Sequence, residues 1–171
     1  GYLSAYPEEQ IDRVIALKQV WAPWYTLHKI YAGLIDMYVY CDNAQSLQIA
    51  QGMARWTEGR LDRLDRPAMQ EMLNHTEQGG MNETLANLYG VTGERAWLEL
   101  AERFNADAYN NPLILHRDEL KGLHVNSFIP NVIGTARQYE LTGDPTDRHI
   151  AEFFWRCVVD GRTYCTGGTS I

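Results

Sequence analysis

Nowhere does the chain carry the roughly 20 consecutive apolar residues that a membrane-crossing helix requires. Cysteine is scarce. Cys41, Cys157 and Cys165 are odd in number and show no C-x-x-C spacing, so they read neither as a disulfide framework nor as a structural zinc knuckle. Small core hydrophobes are the expected role for all three. Positive charge is in deficit: 15 Lys and Arg face 22 Asp and Glu, a formal net charge of -7. With the acidic residues scattered along the chain, neither nucleic acid nor an anionic membrane is expected as a partner. Also missing are a glycine-rich phosphate loop, a serine nucleophile elbow and any recognisable metal-ligand spacing. No segment sustains β alternation, and only Val158-Val159 and Tyr164-Cys165 suggest local extension. Gly1-Tyr2-Leu3-Ser4 has neither the basic nor the apolar region of a secretory leader. That leaves the compartment open among secreted, periplasmic and cytoplasmic. Asn74-His75-Thr76 and Asn82-Glu83-Thr84 match the N-glycosylation pattern, which is too short to decide anything alone.

What the chain has is aromatic residues and a repeat. Its 171 residues suffice for one respectable core. Five Trp and ten Tyr stand out. Such rings serve as flat platforms for sugars and equally as filling for helical cores, and composition alone favours the core. Tyr89-Gly90-Val91-Thr92-Gly93 recurs 50 residues later as Tyr139-Glu140-Leu141-Thr142-Gly143. The offset persists, with Ala101 and Phe104 answered by Ala151 and Phe154. A fainter copy lies upstream at an offset of 51, where Leu34, Tyr38, Leu47 and Ala50 match Leu85, Tyr89, Leu98 and Ala101.

Each copy predicts an antiparallel helix pair. The first has a leading helix from about Pro23, a favoured first-turn residue, and a return helix over about 44–61. The second runs from near Asn82 through Leu88, stops at Thr92-Gly93 and returns over 95–108. The third spans 128–141 and 146–160. Pro7-Glu8-Glu9-Gln10 reads as a further helix opening. Three such hairpins predict an all-α fold, either an open solenoid or part of an (α/α)6 toroid. Neither end carries a polar capping unit, so residues 1–171 are expected to be part of one α/α-barrel domain extending beyond both ends.

The polar residues of interest cluster before or at the starts of the leading helices. In a toroid these ends share one rim, which would gather His28, Asn82, Glu83, His124 and Asn126 round a cleft, with Gly167-Gly168 in a closing loop. Helix N-termini add free backbone N–H groups and positive potential there. Each residue also has a plainer reading. His28 can be a satisfied helix-face histidine, Glu83 a first-turn carboxylate favouring the helix dipole and Asn82 a cap. His124 and Asn126 can simply close a loop, and Gly79-Gly80 and Gly167-Gly168 can be turn glycines. His75, His116 and His149 read as surface or structural.

Longer strings narrow the choice. VWAPWYTLHKIYAGLIDMY, GGMNETLANLYGVTG, DELKGLHVNSFIPNVIGTARQYELTGD, AEFFW and TGGTS together resemble the β-L-arabinofuranosidase glycoside hydrolases of families 127 and 146, formerly a domain of unknown function. The likeness covers nearly the whole chain in order. It implies an (α/α)6 barrel followed by β-sandwich domains, with only part of the barrel here and the rest of it as a missing packing partner. It also implies a retaining reaction on plant arabinan or hydroxyproline-linked arabinose, so a carbohydrate substrate. In that family a cysteine thiolate on zinc is the nucleophile and a glutamate is the general acid/base. His28 and His124 resemble pocket-lining histidines, and Asn82 and Glu83 lie in a motif of the same rim. The acid/base glutamate, the Glu-x-Cys zinc motif and the nucleophilic cysteine are expected downstream of Ile171. The chain itself would then hold no catalytic residue and no zinc, and would be inactive alone. Lys121 and Val125 depart from the family's usual loop. Two rivals remain: a non-catalytic helical-repeat interaction module, and another α/α-toroid carbohydrate enzyme. A partial toroid should also expose an apolar seam.

Overall fold

A computed structural model describes residues 1–169; Ser170, the end of the TGGTS string, and Ile171 lie outside the described residues. The chain forms α1 (Glu9–Ile15), α2 (Pro23–Cys41), α3 (Ala44–Leu61), α4 (Arg66–Asn74), α5 (Met81–Thr92), α6 (Arg95–Arg103), α7 (Asp107–Ile114), α8 (Val125–Thr142) and α9 (Pro145–Val159). Among the described residues there is no strand, and no helix is long and apolar enough to cross a membrane. The fold is all-α. Three hairpins, α2–α3, α5–α6 and α8–α9, stand side by side, with α5 packed between α2 and α8 as in part of an α/α toroid.

The repeat is visible atom by atom at the hairpin turns. Gly93 N–H and Gly143 N–H each donate to the carbonyl of the repeated tyrosine, Tyr89 or Tyr139, at 2.7 Å. Thr92 and Thr142 each donate back to a carbonyl four residues earlier and accept the N–H two residues ahead at 3.2 Å. Both glycines are left-handed, with φ of 74° and 76°, where a Cβ is penalised. The upstream copy has Asp42 there instead, at φ 53°. Two of the return helices begin on side-chain caps, Asn43 accepting from Ser46 N–H and Asp144 from Thr146 N–H, whereas α6 has none.

The structure departs from the sequence expectation in four places. The return helix predicted over 95–108 breaks after Arg103, and α7 starts at Asp107. Two side-chain amides stitch the backbone of the break. Asn131 of α8 donates to Phe104 O at 2.9 Å and accepts from Ala106 N–H at 3.3 Å. Gln70 of α4 donates to Asn105 O and accepts from Asp107 N–H. With partners supplied from outside, the groups orphaned by the break cost little. Second, α4 and α7 lie outside the three hairpins that the repeat predicts. Third, Val158-Val159 is helical, and Tyr164-Cys165 belongs to a closed turn in which Tyr164 N–H donates to Gly168 O and Gly167 N–H to Tyr164 O. Fourth, the cysteines are not core residues: Cys41 and Cys165 are exposed and only Cys157 is half-buried.

The larger core joins α1 to α6 around Ile11, Trp24, Tyr31, Met53, Leu85 and Phe104, and a smaller one gathers Leu113, Phe128, Val132, Ile150 and Phe154. Trp24 meets Phe104 edge to face at 5.4 Å. On α8 and α9 an apolar groove of about 360 Å³ is lined by Ile129, Ile133, Trp155 and Val159 among others, with Trp155 66% exposed. An exposed apolar seam was expected, and this groove has that character.

Candidate functional site

Pro23 starts α2 at its first turn, which sets His28 one to two turns inside the helix. The imidazole is 4% exposed and meets the Tyr25 ring edge to face at 4.7 Å. It lies over the Gly79-Gly80 turn at the start of α5. Gly79 has φ +57°, and a Cβ there would collide with the His28 and Tyr25 rings. A Cβ on Gly80 would stand 3.2 Å from Glu83 Oε2 and 3.6 Å from His28 Cδ2. The paired glycines are therefore needed for contact as much as for the turn. They bring His28 and Glu83 to the same stretch of backbone.

Burial makes both side chains unusual. Desolvation, then the charge of neighbouring Lys29, lowers the His28 pKa from 6.5 to about 4, against a weaker opposing effect of the Tyr25 backbone. The ring is thus neutral at pH 7. Among the described residues no group stands in hydrogen-bonding geometry to Nδ1, although that atom is buried. Half-buried Glu83 has its pKa raised by desolvation; Lys29 and Arg137 pull it back, and Asp36 adds to it.

His124 and Asn126 gather instead around Glu77. His124 immediately precedes α8 without capping it through its side chain, is exposed, and places Nε2 3.8 Å from Glu77 Oε1. Asn126 and Glu77 line a hollow of about 480 Å³ with Tyr6, Trp21, Tyr25 and Thr26. Tyr25 touches both groups, since its ring packs on His28 and also lines the hollow.

Asn82 is placed differently. Its side chain is fully buried against Gly134 of α8, where a Cβ would not fit. Nδ2 donates to Asn105 Oδ1 and Asn131 O, and Oδ1 accepts from Glu83 N–H. Both amide protons are engaged inside the protein, so Asn82 ties α5 to α8 and does not face the hollow. Gly167 and Gly168 also stand apart, in the turn beside a second hollow of about 640 Å³ lined by Leu123, Val125, Arg162 and Tyr164 among others. There Arg162 grips Asp118 with two hydrogen bonds of 2.6 and 2.7 Å.

Sequence reading missed Glu77 and Gln78, and it took Trp21 only as part of the stretch leading into α2. Gln78 is fully buried, and among the described residues neither amide atom has a hydrogen-bond partner. The available signal was position: Glu77 and Gln78 immediately precede Gly79-Gly80, and Trp21 precedes Pro23. Of the remaining histidines, His75 bonds the Glu71 carbonyl, while His116 and His149 contact each other and His116 stacks on Phe153. Among the described residues no three His, Cys, Asp or Glu side chains are grouped to hold a metal ion.

A buried imidazole and a half-buried carboxyl on one stretch of backbone offer hydrogen-bonding groups of the kind that hydroxyls use. No protein of curated function matches the chain. The profile of the β-L-arabinofuranosidase, GH127 catalytic domain matches residues 1–171, the full span in hand. The chain belongs to that family of glycoside hydrolases.

Proposed function

We propose that this chain forms part of the sugar-binding rim of a retaining β-L-arabinofuranosidase acting on terminal β-L-arabinofuranosides of plant cell-wall glycans. The observation that carries the reading is the neutral His28 imidazole laid on Gly79-Gly80 beside Glu83, in a chain of this family. In this reading His28 and Glu83 bind and orient hydroxyls of the terminal sugar, and His124 and Asn126 border the same approach. The acid/base glutamate, the cysteine nucleophile and the zinc that keeps its thiol deprotonated belong to the protein beyond Ile171, together with the helices that complete the barrel. The described residues offer no set of ligands that fits zinc, so no step here runs through it. Residues 1–171 alone are inactive in this reading.

Hydrolysis of p-nitrophenyl β-L-arabinofuranoside tests it, using the whole protein that carries this chain and residues 1–171 separately. The whole protein is expected to release p-nitrophenol and the isolated chain none. His28→Ala in the whole protein is expected to lower kcat/KM by about 10- to 100-fold, the loss of one or two buried hydrogen bonds. A whole protein inert on every β-L-arabinofuranoside would overturn the reading.

A further inference from the structure

We propose that Trp21 and the hollow beside it form a subsite for the sugar on the leaving-group side of the scissile bond. This rests on the arabinofuranosidase reading and extends it to a second part of the substrate. Trp21 is 82% exposed, whereas Trp24, three residues on, is completely buried. An indole left in water is unfavourable, yet this one is held in place. Its Nε1 donates to Glu77 Oε1 at 3.4 Å, and its carbonyl accepts from Thr76 Oγ1 at 3.2 Å. Glu77 is anchored in turn, because its carbonyl accepts from Tyr25 N–H at 3.2 Å. The loop before α2 and the loop before α5 are thereby laced together, with the indole on their outer edge.

The hollow has the composition that a neutral sugar requires. Tyr6, Val20, Trp21 and Tyr25 give apolar and aromatic surface for C–H faces, and Gln10, Thr26, Glu77 and Asn126 give donors and acceptors for hydroxyls. Its volume of about 480 Å³ falls within the range of small-molecule pockets, roughly 300–1,000 Å³. Its position assigns the side. Tyr25, which lines the hollow, packs its ring on His28, one of the two residues assigned to the terminal sugar, while Trp21 faces solvent. With the terminal sugar held at His28 and Glu83, the rest of the glycan would lie in the adjoining hollow, toward Trp21. The Glu77 carboxylate also repels an acidic neighbour, which selects neutral glycans over those carrying a uronate beside the scissile bond.

The test compares two substrates in the whole protein: methyl β-L-arabinofuranoside, and a disaccharide with terminal β-L-arabinofuranose on a second neutral sugar. Trp21→Ala is expected to lower the ratio of kcat/KM for the disaccharide to that for the methyl glycoside by about 10-fold, mainly through KM. Trp21→Phe should restore most of that ratio. An unchanged ratio overturns the subsite, whether both substrates suffer equally or neither does. So does a lowered melting temperature with unaltered KM, which would show the indole covered by another part of the protein. If the wild-type protein cleaves neither substrate, the arabinofuranosidase reading fails. Calorimetric titration of the disaccharide against wild type and Trp21→Ala then decides the platform alone: weaker binding by the variant supports it, and equal or absent binding overturns it.

Discussion

The second and third hairpins, α5–α6 and α8–α9, share a turn down to individual hydrogen bonds but differ in what surrounds them. Tyr-Gly-Val-Thr-Gly and Tyr-Glu-Leu-Thr-Gly close with the same bonds at the same lengths. Beyond the turn the resemblance fades. In the second hairpin α5 is held between α2 and α8, and Leu85, Leu88, Trp97 and Phe104 are buried in the larger core. In the third, α8 has α5 on one side and an open apolar groove on another, with Trp155 and Ile133 exposed. Local sequence writes the hairpin, and neighbouring helices decide what it buries.

Phe104 and Phe154, equivalent in the repeat, test this most sharply. Phe104 is fully buried against Trp24, while Phe154 is 8% exposed and lines the groove. Phe104→Ala is expected to cost about 3–5 kcal/mol and Phe154→Ala about 2, because a side chain at an open groove leaves a space that can relax or hydrate. Urea unfolding of both variants in one background measures the difference. Equal losses would mean that the two hairpins are equally packed.

A smaller effect separates the hairpins by pH. The folded state keeps His28 neutral down to about pH 4, whereas the unfolded chain protonates near 6.5. The unfolded state therefore binds more protons in that window, and the His28 contribution falls as pH drops from 6.5 to 4, by about 3 kcal/mol at most. Asp147, in the first turn of α9, has the opposite sign. Burial, with Asp144 and Glu102 nearby, raises its pKa from 3.8 to about 6. Its contribution is complete below 3.8 and is lost as pH rises through 6. Glu83, also raised, acts in the same sense as Asp147. Relative to wild type, His28→Gln should flatten the acid-side loss between pH 6.5 and 4, and Asp147→Asn should steepen it. Denaturation midpoints at several pH values give the two difference curves, and curves of the same slope would contradict the assignment.

The smallest expected effect lies at the turn of the first hairpin. Asp42 occupies the left-handed position that Gly93 and Gly143 fill in the other two. Asp42→Gly should stabilise by up to about 1 kcal/mol, and Gly93→Asp should destabilise by a similar amount. Thermal melts of the two single variants check it; a destabilised Asp42→Gly would show that the aspartate carries some other contact.

Much of the fold was legible before any coordinates. The limits of α2 and α3, the Thr-Gly stops and the three-hairpin arrangement follow from helical periodicity and capping chemistry, which act over a few residues. The break between α6 and α7 was not legible, because Gln70 and Asn131 relieve it from 35 and 25 residues away. The candidate site divides the same way. His28 and Glu83 stood out as polar residues at helix starts, and His124 with Asn126 likewise. Asn82 looked equivalent yet turned inward, because Gly134 leaves room for its amide beside α8. Trp21 could not be told apart from Trp24, because nothing local distinguishes an exposed aromatic in a loop from one destined for the core.

The sequence by itself determined that the chain is helical, that it repeats, and to which family it belongs, since periodicity, caps and long matching strings are properties of neighbouring residues. Tertiary structure alone decided which polar side chains meet. Burial, the pKa of His28 and the hollow beside Trp21 all depend on distances between segments about 50 residues apart, and no local pattern encodes those.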